Sequence, residues 1–555
     1  MKLKHIMLLL VILAAASGCV SLEQYPTNAY TDANYWNKAE NVRAALYKAY
    51  AQCWGNNYYF KNNILCDDAY GSRHVLTDTN VSTGISSTSD DRYINEWNAC
   101  YEALRTVHTV LDKQEIIDIG DDAAKERMLA ELRYIRVFTY LRLVTWFGDV
   151  PFYTKNPTLA ESQTVTPTSA SEIMSFVHTE LDEISGILPK NTDLPVEETG
   201  RYTCGTAVAL NARAYLLEND FENCAKECEK LINGTEYGTY ALASDYDALF
   251  NKHRGYENEA IMTIEYAMNG GIEDIVRGWP TVNVLPVSVG GPNVWFSPTQ
   301  ELVDCFLKTD GTKADKTDYT GRDKRFYATI AYNGCKMELP AHGKAKVKGD
   351  QGVGKGIYTC YTNPEDEVEA QKEDPNLSDS YNGSESRTFT GYYNRKNYDP
   401  ATIADGGQSY KALIEIRFGD VLLMYAESMF ETGKMTQDIW NKTIYPLRKR
   451  AGFDEEVCAY PGLSHDEMRQ LIRNERRCEL ALEGRRVFDL RRWAVMDDPT
   501  VRTEGKTVLS SQATGAPFDN GETIVCQSPY GLKYWFPIPQ SERDINGNLG
   551  QNPGW

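Results

Sequence analysis

Apolar side chains recur at helical spacing through much of the chain, and the pattern changes character in the middle. Val42, Ala45, Leu46, Ala49 and Tyr50 share one face of a helix over Asn41 to Trp54. Trp97, Tyr101, Leu104, His108 and Leu111 do the same over Trp97 to Leu111. Such faces need partner helices to cover them. The stretches AAKERMLAELRYIRVFTYLRLVTWFGDVPF and EIMSFVHTELDEISGILP repeat the amphipathic pattern and run to stop signals at Gly148 and Pro189. GTAVALNARAYLLENDFENCAKECEKLI reads as a helical hairpin with its turn near Asn219-Asp220. Its Ala207, Ala209, Ala212 and Ala214 allow the close helix packing of tetratricopeptide repeats, although the strict repeat consensus is absent.

From about Asp245 to Tyr410, Gly, Asn, Asp, Pro and Tyr crowd between short apolar runs, which predicts loops and short strands. Helices return with EIRFGDVLLMYAESMF and HDEMRQLIRNERRCELALEGRRVFDLRRW, and the tail YWFPIPQSERDINGNLGQNPGW is rich in turn residues. The expected organisation is one large domain over residues 19–555. It has a helical part (19–244), a loop-rich face (245–410) and a second helical part with the tail (411–555). Loops on a rigid helical frame are where binding usually resides.

The amino terminus stands apart. Lys2, Lys4 and His5 form a basic tip, and the apolar run Ile6 to Ala16 is too short to span a bilayer, which takes about 20 residues as a helix. With Ala16-Ser17-Gly18-Cys19 it fits a secretion signal (residues 1–18) ending in a bacterial lipobox, so Cys19 is expected to carry a lipid. The formal charge is -20, and losing Lys2 and Lys4 with the signal makes it -22, which repels nucleic-acid backbones and anionic lipid. Nucleic acid is therefore excluded as an expected partner. The chain has 35 Tyr and 10 Trp, enough that part of this aromatic content is expected at a recognition surface. Thirteen cysteines become twelve after lipidation, without a CxxC or a regular framework. Cys224 and Cys228 can face one way on a helix, but two ligands do not make a zinc site. Buried thiols are the favoured reading, with one or two disulfides left open and unassignable from spacing.

Motifs for chemistry are sparse. GDQGVGKG fits the glycine and lysine spacing of a phosphate loop, but Gly356 stands where Ser or Thr should be and no strand-to-helix context surrounds it. Glu475, Glu479 and Glu483 lie four apart as if on one helical face. Without a Glu-x-x-His element, and with Arg473, Arg476, Arg477, Arg485 and Arg486 in the same run as partners, they read as an ion-paired scaffold helix. Asp67 and Asp68 are adjacent, so their side chains diverge and make poor partners for hydrolysis. There is no HExxH and no GxSxG, and seven histidines are scattered. No catalytic residue, cofactor or metal is expected.

Binding chemistry is better represented. Sugar rings pack their C–H faces on flat aromatics, and their hydroxyls need carboxylates, amides and guanidiniums. CWGNNYYFKNNILCDDAYGSR supplies both in Trp54, Tyr58, Tyr59, Asn62, Asp67, Asp68, Tyr70 and Arg73, although Trp54 and Tyr58 serve equally well to finish the core of the preceding helix. Trp279, Trp295 and Phe296, flanked by Gly and Pro, are candidates for an aromatic platform whose alternative is to plug the loops from below. Trp97, Trp146, Trp493 and Trp535 read as structural.

Taken together, CVSLEQYPTNAYTDANYWNKAENVRAALYKAY, ELRYIRVFTYLRLVTWFGDVPF, RFGDVLLMYAE, IRNERRCELALEGRRVFDLRRW and the closing FPIP and QNPGW resemble the SusD/RagB family of surface lipoproteins from Bacteroides-type bacteria. Their order and spread cover essentially the chain after Cys19. The sequence departs from the family pattern at His108, where the family tends to have Asn, in the NGNL of the tail, and at Trp555. Val20, Ser21 and Leu22 follow the cysteine before the first acid, Glu23, so an acidic surface-export signal is not evident. The resemblance implies an all-α dominated frame of four tetratricopeptide-like helix pairs with a loop-built ligand face. It also implies an outer-membrane, lipid-anchored protein that captures a glycan and delivers it to a SusC-like, TonB-dependent transporter. A peptide-capturing lid of RagB type is the alternative within the binding class. A surface glycosidase and a purely structural partner of the barrel are alternatives of other classes.

Overall fold

The computed structural model describes residues 31–54, 56–83, 85–255, 257–268, 275–290, 293–340, 342, 345–381, 386–404, 407–493 and 535–555. Cys19 and the expected signal lie outside the described residues.

Eight helices make the frame: α1 (Ala39–Cys53), α2 (Asp91–Leu111), α3 (Asp122–Phe147), α4 (Ala170–Ser185), α5 (Cys204–Leu217), α6 (Phe221–Ile232), α7 (Phe418–Glu431) and α8 (His465–Glu479). Each packs on the next in chain order, so the eight fall into four consecutive pairs. The expected partner helices are thus the sequence neighbours. α5 fits most tightly, with Ala207, Ala209, Ala212 and Ala214 fully buried against flanking helices, as its small side chains require. Asn219 turns the α5–α6 hairpin in a left-handed conformation, and Asp220 caps α6 by accepting from the Asn223 N–H. α4 stops at Ser185, short of Pro189.

The fourth pair is separated from the third by a long insertion of short strands and brief helices. The strands used below are β1 (Ala69–Gly71), β2 (Ala260–Ile264), β3 (Trp279–Pro280), β4 (Phe296–Pro298), β5 (Lys336–Glu338), β6 (Ile357–Thr359), β7 (Gln408–Ser409) and β8 (Leu413–Arg417). The described strands pair two by two, all antiparallel. β2 pairs with β8, which runs directly into α7, so the insertion is closed at its base where it leaves and rejoins the helical frame. Within it, Lys348–Gly349 and Gly352–Val353 form a hairpin, and no helix opens after GDQGVGKG. A phosphate loop is therefore absent from that segment.

Two of the family-like motifs meet in space. The Phe536 N–H of FPIP donates to the Trp146 carbonyl at 2.7 Å, its ring stacks on Trp146 at 4.4 Å, and Asn552 donates to the Phe147 carbonyl at 2.8 Å. The tail thus seals the carboxyl end of α3.

The glutamates of IRNERRCELALEGRRVFDLRRW sit in a buried ionic network, with one difference from the expectation. α8 ends at Glu479, and Glu483 lies in the turn beyond it, where Leu482 and Gly484 are left-handed. The partners are also tertiary. Glu475 bonds Arg325 and Arg448, Glu479 bonds Arg325, Arg417 and Arg450, and Glu483 bonds Arg417 and Lys396. The run's own arginines pair elsewhere: Arg476 with Asp420 and Asp489, Arg485 with Glu415. Local spacing could not show this, because a buried carboxylate takes whatever cation the packing brings.

The network explains RFGD. Arg417 bridges Glu259, Glu479 and Glu483, while Asp420 holds Arg213 and Arg476. A Cβ at Gly419 would lie 2.3 Å from the Arg417 guanidinium, so only glycine leaves room for it.

Candidate functional site

The aromatic and polar residues that face solvent together are displayed by the β1–β4 strand pair and the loops beside it. β1 is antiparallel to β4, with Tyr70 opposite Ser297 and Gly71 opposite Phe296. The ladder continues where the Ser72 N–H donates to the Trp295 carbonyl at 2.8 Å. Alternation turns Ala69 and Gly71 inward and leaves Tyr70 half-buried, and the Arg73 side chain beyond the strand is exposed. Trp295 is also half-buried, with the Lys61 ammonium 5.5 Å from its ring centroid.

Residues 378–381 and 386–390 complete this face. Phe389 meets Tyr70 edge-on at 5.6 Å and Tyr381 at 5.6 Å, and Ser386 hydrogen-bonds His74 at 3.2 Å. Thr390 ties the segment to β4 by donating to the Pro298 carbonyl at 2.5 Å. Tyr381, Ser386, Arg387 and Phe389 are all partly exposed. The face therefore combines aromatic rings with hydroxyl, imidazole and cationic donors. Phe389 and Tyr381 were not anticipated. The signal lay in SDSYNGSESRTFTGYY, which has the same small, turn-forming flanks as Trp295.

The structure buries several of the expected contact residues. Trp54 is buried against Phe138, with ring centroids 4.5 Å apart, and finishes the core of α1. Tyr59 is buried beside Phe60, and Asn62 is buried and accepts from Arg92 at 3.0 Å. Trp279 has no exposed surface, donates its indole N–H to the Lys411 carbonyl at 3.0 Å and packs on Phe60. Phe296 is buried on the inner face of β4. Tyr58 falls within the helix Asn56–Lys61, with its side chain outside the described set.

Asp67 and Asp68 are buried and hold the face from beneath. Asp67 pairs with Arg486 and Arg477, and Asp68 with Arg477. Burial would raise the Asp67 carboxyl, but Arg477 and Arg486 bring it down to about 2; burial and the neighbouring Asp67 charge raise Asp68. Thr299 fixes the same segment, its N–H donating to the Asp68 carbonyl at 3.0 Å and its hydroxyl to the Asp67 carbonyl at 2.6 Å. Both acids anchor the start of the strand that carries Tyr70 and leads on to Arg73. Among the described residues, no group of three or more His, Cys, Asp or Glu side chains is arranged to hold a metal ion.

A separate groove of about 770 Å³ runs between α2, the 151–162 loop and the helix Gln540–Ile545. His108, the departure from the family pattern, lies in its wall with 2% exposure and no hydrogen-bond partner for Nε2. Burial, then the Arg136 charge, lowers its pKa to about 4. The unfolded chain takes up this proton near pH 6.5, whereas the folded chain refuses it until about pH 4, so stability contributed by the neutral ring is present above pH 6.5 and lost on acidification. His108→Asn removes that dependence. Its stability relative to the parent should rise by about 2–3 kcal/mol between pH 7 and pH 4. Urea unfolding at the two pH values measures this, and a pH-independent difference would show that the imidazole charges in the fold.

Comparison with known proteins agrees with this architecture. The SusD family model matches residues 258–555, and a second, described as starch-binding associating with outer membrane, matches residues 21–216. The chain belongs to the SusD family. A SusD-like protein of Formosa agariphila is 22% identical, covering 98% of this chain and 97% of its own. The starch-binding protein SusD of Bacteroides thetaiotaomicron is 24% identical, covering 78% of this chain and 74% of its own. A SusD-like carbohydrate binding protein from Bacteroides fragilis superposes with a TM-score of 0.77 at 25% identity, over 93% of this chain and all (100%) of that one.

Proposed function

We propose that this protein is a lipid-anchored, non-enzymatic glycan-binding protein of the outer membrane, facing the cell exterior, that captures an oligo- or polysaccharide and passes it to a SusC-like, TonB-dependent transporter. The observation that carries the reading is the face formed by Tyr70, Trp295, Phe389 and Tyr381 with Arg73, Lys61, His74 and Ser386. Rings for stacking and donors for hydroxyls occur together on backbone that buried ion pairs hold in place. The names of the relatives, a starch-binding and a carbohydrate binding protein, support the same ligand class. The tether expected at Cys19 gives a lid its purpose, since a lid must stay on its barrel.

Hydrolysis finds no support in Asp67 and Asp68, whose carboxylates are engaged by arginines. The deciding experiment is a binding screen of the chain truncated after Cys19 against host and plant polysaccharides, with peptides in parallel and products checked for cleavage. Binding of one glycan class without cleavage is the expected result. Peptide-only binding would replace the cargo with peptide, and released oligosaccharide would replace the lid with a glycosidase.

A further inference from the structure

Cys335 and Cys360 lie across an antiparallel ribbon. β5 and β6 pair with Met337 opposite Tyr358 and Lys336 opposite Thr359, and one step further the ladder reaches the two cysteines. There the Cys360 N–H donates to the Cys335 carbonyl at 3.0 Å, and the Gly334 N–H donates to the Cys360 carbonyl at 2.8 Å. The Cys335 N–H closes a turn onto the Tyr332 carbonyl at 3.0 Å, with Gly334 at φ +85°. This is a type II turn running into a glycine bulge, in which Gly334 and Cys335 together oppose Cys360. Directly opposed positions on a ladder bring Cβ atoms to about 4.5–5.5 Å, and a disulfide needs about 3.5–4.5 Å, so the backbone has little distance to close.

We propose that Cys335 and Cys360 form a disulfide in the exported protein, a covalent staple across the ribbon beneath the ligand face. Both are thiols in this structure, both are buried, and their side chains lie close enough to influence each other's titration. That proximity lowers Cys335, while burial raises Cys360 well above the ordinary thiol. Either thiol can open the exchange, and the case of Cys335 stands for both. Its thiolate attacks a disulfide-bearing oxidant, such as glutathione disulfide or a thiol–disulfide oxidoreductase, and one thiolate leaves. Cys360, on losing its proton, attacks the Cys335 sulfur of the mixed disulfide and expels the second. Two electrons and two protons pass from the pair to the oxidant, which departs as two thiols.

Two other near pairs are poorer. Cys224 and Cys228 are one helical turn apart on α6, where Cβ atoms stay about 5–6 Å from each other. Cys305 accepts from Arg477 at its sulfur, and Cys478 donates to the Cys305 carbonyl, not to its sulfur. The staple lies close to the ligand face: the Asp379 carboxyl, which accepts from the Ser288 N–H at 2.8 Å, is beside Cys360, and the Asp379 carbonyl accepts from Tyr393 at 2.7 Å; Tyr381 follows two residues later.

Formation in the cell rests on the export reading, and the pairing itself does not, so two arms separate them. In the first, outer-membrane protein carrying its Cys19 lipid is quenched in acid, alkylated in denaturant, digested and analysed by mass spectrometry. In the second, reduced and unfolded full chain is refolded in a glutathione redox buffer and treated alike. The expected product in both is a 335–360 linked peptide, with the remaining thiols alkylated. Reduction should lower the Tm by about 2–5 °C in the parent and not in the Cys335→Ala/Cys360→Ala double variant. Both cysteines alkylated in lipidated protein, or a different pair dominating the refolded product, overturns the proposal. A linked product on refolding from a chain that is never lipidated supports the pairing and instead overturns the export reading.

Discussion

Replacing Glu479 by alanine is expected to destabilise the folded chain by about 3–5 kcal/mol while leaving the ligand affinity of the remaining folded molecules unchanged. The carboxylate is fully buried and accepts from Arg417 at 2.7 Å, from Arg325 at 2.8 Å and from Arg450. Burial would raise its pKa, but Arg450, Arg417 and Arg325 together hold it well below the usual carboxylate range. The depressed pKa means that its contribution is present above the unfolded value near pH 4.5 and is lost as the pH falls toward the folded one. Deletion leaves three guanidiniums with part of their compensation gone in a water-poor interior, and removing one partner of such a set costs more than the set contributes as a whole. Denaturant unfolding monitored by fluorescence gives the loss, and binding measured in native buffer gives the affinity. A variant as stable as the parent that no longer binds would contradict the scaffold role.

Trp279→Ala is expected to cost about 3–5 kcal/mol of stability, whereas Tyr70→Ala and Trp295→Ala should each weaken ligand binding about tenfold with the fold intact. All three aromatics read alike in sequence. Trp279 is fully buried and spends its indole N–H on the Lys411 carbonyl, so its loss leaves a cavity and an unpaired acceptor. Tyr70 and Trp295 are half-buried, with Phe389 edge-on to Tyr70 and the Lys61 ammonium over the Trp295 ring, so truncating either removes partly exposed aromatic surface and not a core side chain. Thermal unfolding and calorimetric titration with the glycan found in the screen separate the two kinds of loss. Unaltered affinity in both Tyr70→Ala and Trp295→Ala would remove the β1–β4 face from the binding site.

The helical frame was largely legible. Val42, Leu46 and Ala49, then Trp97, Leu104 and Leu111, recur with the period of a helix, and each such face is covered in the structure by a neighbouring helix. Small residues in α5 announced its close packing. The boundaries were less legible, as α4 stopping before Pro189 and α8 ending before Glu483 show. A left-handed Leu482 is not a residue that sequence reasoning would choose for a turn.

Less of the site could be read. CWGNNYYFKNNILCDDAYGSR has the right side chains for a sugar, yet its carboxylates face inward, because Arg477 and Arg486, some 410 positions away, reach them first. Tyr70 and Arg73 stay at the surface because strand alternation and the following turn put them there. Phe389 joins them only through the pairing of β1 with β4 and the bond from Thr390.

By itself, then, the sequence determined the elements whose signal is local: the apolar period of the helices, the turn residues of the insertion and the family motifs spread from end to end. Tertiary structure alone decided which aromatic is core and which is surface, which arginine neutralises which carboxylate, and which cysteine faces which. The physical reason is that helix period and turn chemistry depend on side chains a few positions apart. Exposure and ion pairing depend on the sum of everything packed around a residue, most of it hundreds of positions away.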